Sequence, residues 1–136
     1  MSGTTWSKFY WSDWRSDPGL RLCSFAARGL WIDMLCIAAE HDPVGYVALG
    51  GKPLDVAQIA RMTGGQPREV AKLLLELEAN GVFTRDRRGC IYSRRMISDE
   101  KRARKSRENG LLGGNPALRK DRDISDQDIP GIRGNL

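Results

Sequence analysis

One histidine, three cysteines and no long apolar run are what this sequence has least of, and each scarcity removes a class of function. His41 has no companion at metal-ligand spacing, so no zinc site is expected. Cys23, Cys36 and Cys90 are odd in number and form no Cys-x-x-Cys pair. Cys36 falls in an apolar helical stretch and Cys90 opens a strand, so buried, reduced thiols are expected. No apolar run approaches the roughly 18–20 residues needed to cross a bilayer. There is no signal-peptide pattern either, and a cytoplasmic protein without a membrane partner is expected. Gly50-Gly51-Lys52 invites comparison with a phosphate-binding loop. The Gly-x4-Gly-Lys spacing is absent, however, and Pro53 stands where Ser or Thr would bind magnesium. No Ser/His/Asp arrangement exists, and the pairs Asp13/Asp17 and Asp126/Asp128 need nothing beyond capping and solvation. Neither catalysis nor a cofactor is expected.

What is present centres on Leu54 to Ser93. Asp55-Val-Ala-Gln58 has the form of a capping box. Behind it Val56, Ile59, Ala60 and Thr63 recur at i, i+3, i+4 and i+7, the spacing of one buried helical face. Gly64-Gly-Gln-Pro67 breaks that helix, and Pro67 suits the first turn of the next, where its missing N–H costs nothing. Val70, Leu73, Leu74 and Leu77 form the second apolar stripe, and Asn80-Gly81 supplies a left-handed stop. Val82–Arg85 and Cys90–Ser93 are strand-like, joined by the polar turn Asp86-Arg-Arg-Gly89. Helix, turn, helix and hairpin together spell a mainly α fold with a small antiparallel β-hairpin: a winged helix-turn-helix over residues 1–97.

Before this unit runs an apolar helix, Phe25 to Glu40, with Ser24 as its N-cap. Its apolar residues, among them Phe25, Leu30, Trp31, Ile32, Met34, Leu35 and Ile37, wrap most of the circumference. Such a helix must be covered on several sides. The N-terminal aromatic arm, Trp6, Phe9, Tyr10, Trp11 and Trp14, is the material expected to cover one of them, although aromatics beside Lys8 and Arg15 can also stack on bases. Gly45–Leu49 reads as a first strand pairing with the wing. After the wing, residues 98–109 read as a basic helical extension that starts at Ser98 and stops at Gly110. Ala103 is its only apolar side chain between Asp99 and Asn109, so it should fray in the free protein. Residues 110–136 are expected to be a flexible tail.

Charge points to a polyanion. The net charge is +5. Met1–Thr84 carries 8 basic and 9 acidic residues, Arg85–Arg107 carries 10 and 3, and Glu108–Leu136 carries 4 and 5. The excess therefore lies in the wing and the segment after it, where DNA would sit. Arg85, Arg87, Arg88, Arg94, Arg95, Lys101, Arg102, Arg104, Lys105 and Arg107 are the expected phosphate contacts, which position a protein but do not read sequence. On the second helix, Gln66, Arg68 and Lys72 face away from the apolar stripe and could reach base edges. Glu69, Glu76 and Glu78 lie close to them, so weak sequence specificity is expected.

Several runs carry a resemblance: Ala27-Arg-Gly-Leu-Trp-Ile-Asp-Met-Leu35, Gly45-Tyr46, Gly51-Lys-Pro-Leu54, Gly81-Val82, Ile91-Tyr-Ser-Arg-Arg-Met96 and Asn109-Gly-Leu-Leu-Gly-Gly-Asn-Pro116. Together they resemble the N-terminal domain of phage and prophage replication-initiation proteins of the replisome-organiser or helicase-loader type, roughly from Trp6 to Pro116, most of the chain. The resemblance implies origin-DNA binding through the winged helix. It also implies engagement of a helicase or its loader, host replication proteins, through a further C-terminal region. With the sequence ending at Leu136, a second domain of that kind is not expected. A winged-helix transcriptional regulator and a protein-interaction module acting on host replication or defence machinery remain the alternatives. The oligomeric state is left open.

Overall fold

In the computed structural model, which describes residues 6–112, the central helix is α3 (Phe25–Glu40). Its N-terminus is capped twice over. Ser24 Oγ accepts from the Ala27 N–H at 3.1 Å. The Glu76 carboxylate in turn accepts from the Ser24 N–H at 2.5 Å and from its hydroxyl at 3.0 Å. Ala27, Leu30, Trp31, Met34, Ile37 and Ala38 are buried. The opposite stripe is not: Ala26, Gly29, Asp33, Cys36 and Glu40 are exposed. Phe25, 85% exposed, lies with them, the Arg28 guanidinium 4.8 Å above its ring. The expectation that α3 is covered on several sides is therefore corrected, and so is that of a buried Cys36. Apolar composition does not itself bury a face; a neighbouring element must lie over it.

The aromatic arm does not serve as that neighbour. Residues 6–10 have no regular secondary structure and lead into α1 (Trp11–Ser16) and α2 (Pro18–Arg21). Asp17 caps α2, its carboxylate accepting from Gly19 N–H at 2.9 Å and Leu20 N–H at 3.2 Å. From this region only Leu20 and Cys23 enter the core, with Trp14 packed against it. Trp6, Phe9, Tyr10 and Trp11 remain exposed.

Two helices pack on α3 and on each other: α4 (Val56–Thr63) and α5 (Pro67–Ala79). The Asp55/Gln58 capping box is formed, at 2.8 and 2.9 Å. Ile59 and Ala60 from α4 and Val70, Leu74 and Leu77 from α5 fill the core. At the end of α5 the Gly81 N–H bonds to Glu78 O and the Val82 N–H to Leu77 O, each at 3.0 Å. This is the Schellman pattern, which satisfies two carbonyls left over by the helix.

The strands are short. β1 (Ala48–Leu49) and β2 (Lys52–Pro53) form one antiparallel pair, β3 (Thr84–Arg85) and β4 (Ile91–Tyr92) another. The expected pairing of Gly45–Leu49 with the later hairpin is present in reduced form. Tyr46 bridges Tyr92, flanked by Val47 N–H to Ile91 O and Ser93 N–H to Gly45 O, both 2.9 Å. Beyond Val47 the segment turns back on β2 instead. Trp31 stacks on Phe83 beneath the β3–β4 hairpin, ring centroids 5.8 Å apart.

α6 (Arg94–Leu112) starts earlier and ends later than expected. Ser93 Oγ, not Ser98, accepts at the N-terminus, from the Met96 N–H at 3.1 Å. The first turn has a docking face that residues 98–109 lack. Met96 packs on the core, and Ile97 lies so close to Gly45 that a Cβ there would stand 2.5 Å from its Cγ1. Gly45 also has φ +106°, a conformation side-chain-bearing residues avoid. Gly110 does not stop the helix, because it never adopts the left-handed conformation that a glycine stop requires. Residues through Asp99 belong to one compact unit and those from Glu100 to a second. The described residues are mainly helical, with two small antiparallel strand pairs. Of the tail expected over 110–136, all but the first three residues lie outside the described residues.

Candidate nucleic-acid interface

The face of α5 opposite its buried stripe is exposed along Arg68, Lys72, Leu75 and Ala79. Arg68 and Lys72 stand one turn apart, and neither has a hydrogen-bond or ion-pair partner among the described residues. Gln66 is the N-cap residue, but its side chain makes no capping hydrogen bond, so the amide is free to meet a ligand. The acidic residues nearby are mostly engaged elsewhere. Glu76 is held at the N-terminus of α3, 52 residues away in sequence. Glu78 pairs with Arg85 at 3.2 Å. Glu69 is the one glutamate of the three without a partner among the described residues, although Glu78 is also exposed.

The β3–β4 hairpin behaves in the opposite way: it is rich in arginine, yet most of its arginines are already bound. Arg85 bonds Glu78 and the Gly89 carbonyl at 3.3 Å, and lies 5.5 Å over the Phe83 ring. Arg88 pairs with Asp86 at 3.6 Å and donates to the Gly51 carbonyl at 2.7 Å. Arg87 alone at the tip is exposed without a partner among the described residues. Asp86 organises the turn by accepting from the Cys90 N–H at 2.9 Å and the Arg88 N–H at 2.8 Å. The Cys90 amide, with that of Arg88 and its guanidinium, holds the Asp86 carboxyl below the usual range.

Arg94 and Arg95 follow the same rule. The Arg94 guanidinium donates to Thr84 Oγ1 and, at 3.1 Å, to the Gly81 carbonyl, tying the base of the hairpin to the end of α5. Arg95 bridges to Asp13 of α1 at 2.9 Å. These contacts fasten both arginines within the fold, while their side chains stay exposed at the surface. Arg88 also brings in a residue that no sequence pattern singles out. By bonding Gly51 it sets the hairpin tip against the β1–β2 turn, next to exposed Lys52. The only signal of Lys52 in the sequence is its place in a failed phosphate-loop motif.

In the second unit, residues 101–107 are all exposed on α6. Arg104 and Arg107 reach Glu100 at 3.8 and 3.5 Å. Arg102 is engaged as well. Lys101 and Lys105, one turn apart, have no partner among the described residues. The segment is helical, with Glu100 pairing with two of its arginines.

Among the described residues, no group of three or more His, Cys, Asp or Glu side chains could hold a metal. A cavity of about 250 Å³ lies beside His41, Leu49, Gly51 and Met62. Both nitrogens of His41 are committed there, Nδ1 to the Pro43 carbonyl at 2.9 Å and Nε2 to the Gly51 N–H at 3.1 Å. Desolvation raises the thiol pKa of both buried cysteines, Cys23 and Cys90, which keeps them protonated and unreactive. No helix among the described residues is long and apolar enough to cross a membrane. No protein-family model, curated protein or solved structure matches the chain.

Proposed function

We propose that this chain is a winged helix-turn-helix protein that binds duplex DNA without catalysing a reaction. In this reading α5 is the recognition helix and β3–β4 the wing. The observation that carries it is the pair Arg68 and Lys72: unpaired cations on the exposed face of the second helix, with Gln66 free at its start. Arg87 and Lys52 extend the positive surface at the hairpin, and Lys101 and Lys105 supply a separate basic site on α6. The remaining arginines from 85 to 107 act chiefly as fasteners and contribute to the general positive field. Phage-type replication initiation in the cytoplasm, with host replication proteins as further partners, is the role we assign on the sequence resemblance.

Duplex-binding titrations over a range of salt test the reading. Affinity falls with salt at a slope of about −0.9 per phosphate neutralised. The variant Arg68→Ala/Lys72→Ala/Arg87→Ala should flatten the slope by up to about three units, and Lys101→Ala/Lys105→Ala by up to about two. Slopes unchanged in both variants would sink the proposal. One observation favours a protein-contact reading instead: Leu75, on the same face as Lys72, is 68% exposed. Absence of DNA binding even at low salt would turn attention to it.

A further inference from the structure

Apart from Trp14, the N-terminal aromatic arm is exposed and unused by the core. Trp6 is 75% exposed and Trp11 78%, with Tyr10 and Phe9 also open. Three of the rings are grouped. Phe9 lies 4.9 Å from Trp11 at an edge-on 61° and 5.8 Å from Trp14 at 46°, while Trp14 packs on the core and roots the group. The arm is also fastened below, through Asp13 to Arg95 in the first turn of α6.

Charge along this stretch of the sequence is one-sided once internal partners are removed. Asp13 is committed to Arg95, and Asp17 to the N-terminus of α2. Lys8, Arg15 and Arg21 have no partner among the described residues and are exposed. The surface on offer is a set of flat π-faces interleaved with free cations. That is the composition of a site that stacks unpaired bases and neutralises the backbone between them. An anionic membrane surface would also attract cations and tryptophans. Trp6–Ser16, however, contains no Leu, Ile, Val or Met, and α1 is only six residues long, too short to lay an amphipathic face into lipid.

We infer that the arm is a binding site for single-stranded nucleic acid, with Trp6 and Trp11 as its stacking platforms and Lys8, Arg15 and Arg21 as phosphate contacts. The inference rests on the DNA-binding reading above and adds a second form of substrate at a different surface. A duplex keeps its bases stacked inside and cannot present their faces to these rings, so the arm discriminates in favour of unpaired strands.

The test uses the full chain, an oligothymidylate as the single strand, a random-sequence duplex, and vesicles rich in phosphatidylserine. Three of the four tryptophans, Trp6, Trp11 and Trp14, lie in the arm, so oligothymidylate should quench the intrinsic fluorescence. Trp6→Ala/Trp11→Ala should weaken single-strand binding by tenfold or more, since each stacked base contributes about that factor. Duplex affinity should change by less than about twofold. Both side chains are exposed, so the variant should fold, and its denaturation midpoint checks this. Trp6→Phe/Trp11→Phe should restore most of the single-strand affinity, because a smaller ring still stacks.

Single-strand affinity unchanged in the alanine variant would overturn the inference. So would a response to vesicles and not to oligothymidylate, or self-association lost in the variant with no effect on single strands. Duplex binding that depends on Arg68, Lys72 and Arg87 without any single-strand binding would remove the arm site alone. Failure to bind either form of DNA would remove both readings.

Discussion

Helix α5 and the β3–β4 hairpin have opposite relations between the charge they carry and the charge they offer. α5 holds two cations and three glutamates, yet Arg68 and Lys72 are free while Glu76 and Glu78 are tied down. The hairpin and the turn after it hold five arginines, yet Arg85, Arg88, Arg94 and Arg95 all have partners and only Arg87 does not. A count of basic residues would put the proposed DNA contact on the hairpin. The cations without internal partners lie at least equally on the helix. A guanidinium with five donors in a rigid fork is as well suited to gripping carbonyls as to gripping phosphate, so arginine richness alone does not distinguish the two uses.

The largest effect should come from the support that both regions share. Trp31 is buried against Phe83, the residue just before the hairpin, and the Arg85 guanidinium lies 5.5 Å from the same ring. Trp31→Ala should cost about 3–5 kcal/mol, read as a shift in the denaturant midpoint. A midpoint that barely moves would mean that the two regions are held in place by something other than this core.

A smaller effect separates fastener from free cation directly. Arg94→Ala removes two hydrogen bonds at the base of the hairpin and should cost about 1 kcal/mol. Arg87→Ala should leave stability within about 0.5 kcal/mol, as at an ordinary surface site, while lowering the salt dependence of DNA binding by about one unit. The reverse ranking of stability costs would erase the distinction drawn above.

The smallest effect concerns the hairpin tip. The Asp86 carboxyl titrates below the usual aspartate range in the folded state, so its ionised form supports the turn at neutral pH. That support is complete above the ordinary Asp value and is lost as pH falls through the lowered folded value. Exchange of the Cys90 amide, which donates to Asp86, should therefore become less protected in that acid window. Asp86→Asn should show no such pH dependence. Equal protection in the two proteins across the window would remove Asp86 as the organiser of the turn.

Features set by neighbouring residues were legible in the sequence. The Asp55/Gln58 capping box, Pro67 at the start of α5, the Asn80-Gly81 ending and Ser24 before α3 depend on contacts within one helical turn. Features set by distant partners were not. Glu76 reaches Ser24 across 52 positions and Arg95 reaches Asp13 across 82, and no local pattern foretells either. Ser93 and Ser98 are both plausible helix starts by local chemistry. Met96 on the core and Ile97 on Gly45 decide between them. The same limit explains the aromatic arm, since burial depends on whether any element lies over it. Of the candidate residues, the exposure of Gln66, Arg68, Lys72 and Arg87 follows from their place opposite the apolar stripe or at a polar turn, whereas the partners of the other hairpin arginines and the place of Lys52 needed three dimensions.

Gly51 has both sides of its backbone in use: its N–H goes to His41 at the end of α3, and its carbonyl receives Arg88 from the hairpin tip. Its φ of +83° is one that a glycine adopts without strain. The β1–β2 turn is thus a gauge block, setting the height of the hairpin tip from the end of the central helix. One residue inserted at that turn would move the tip unless the hairpin were lengthened to match. The two lengths should vary together in any redesign of this protein, even though 37 positions separate Gly51 from Arg88.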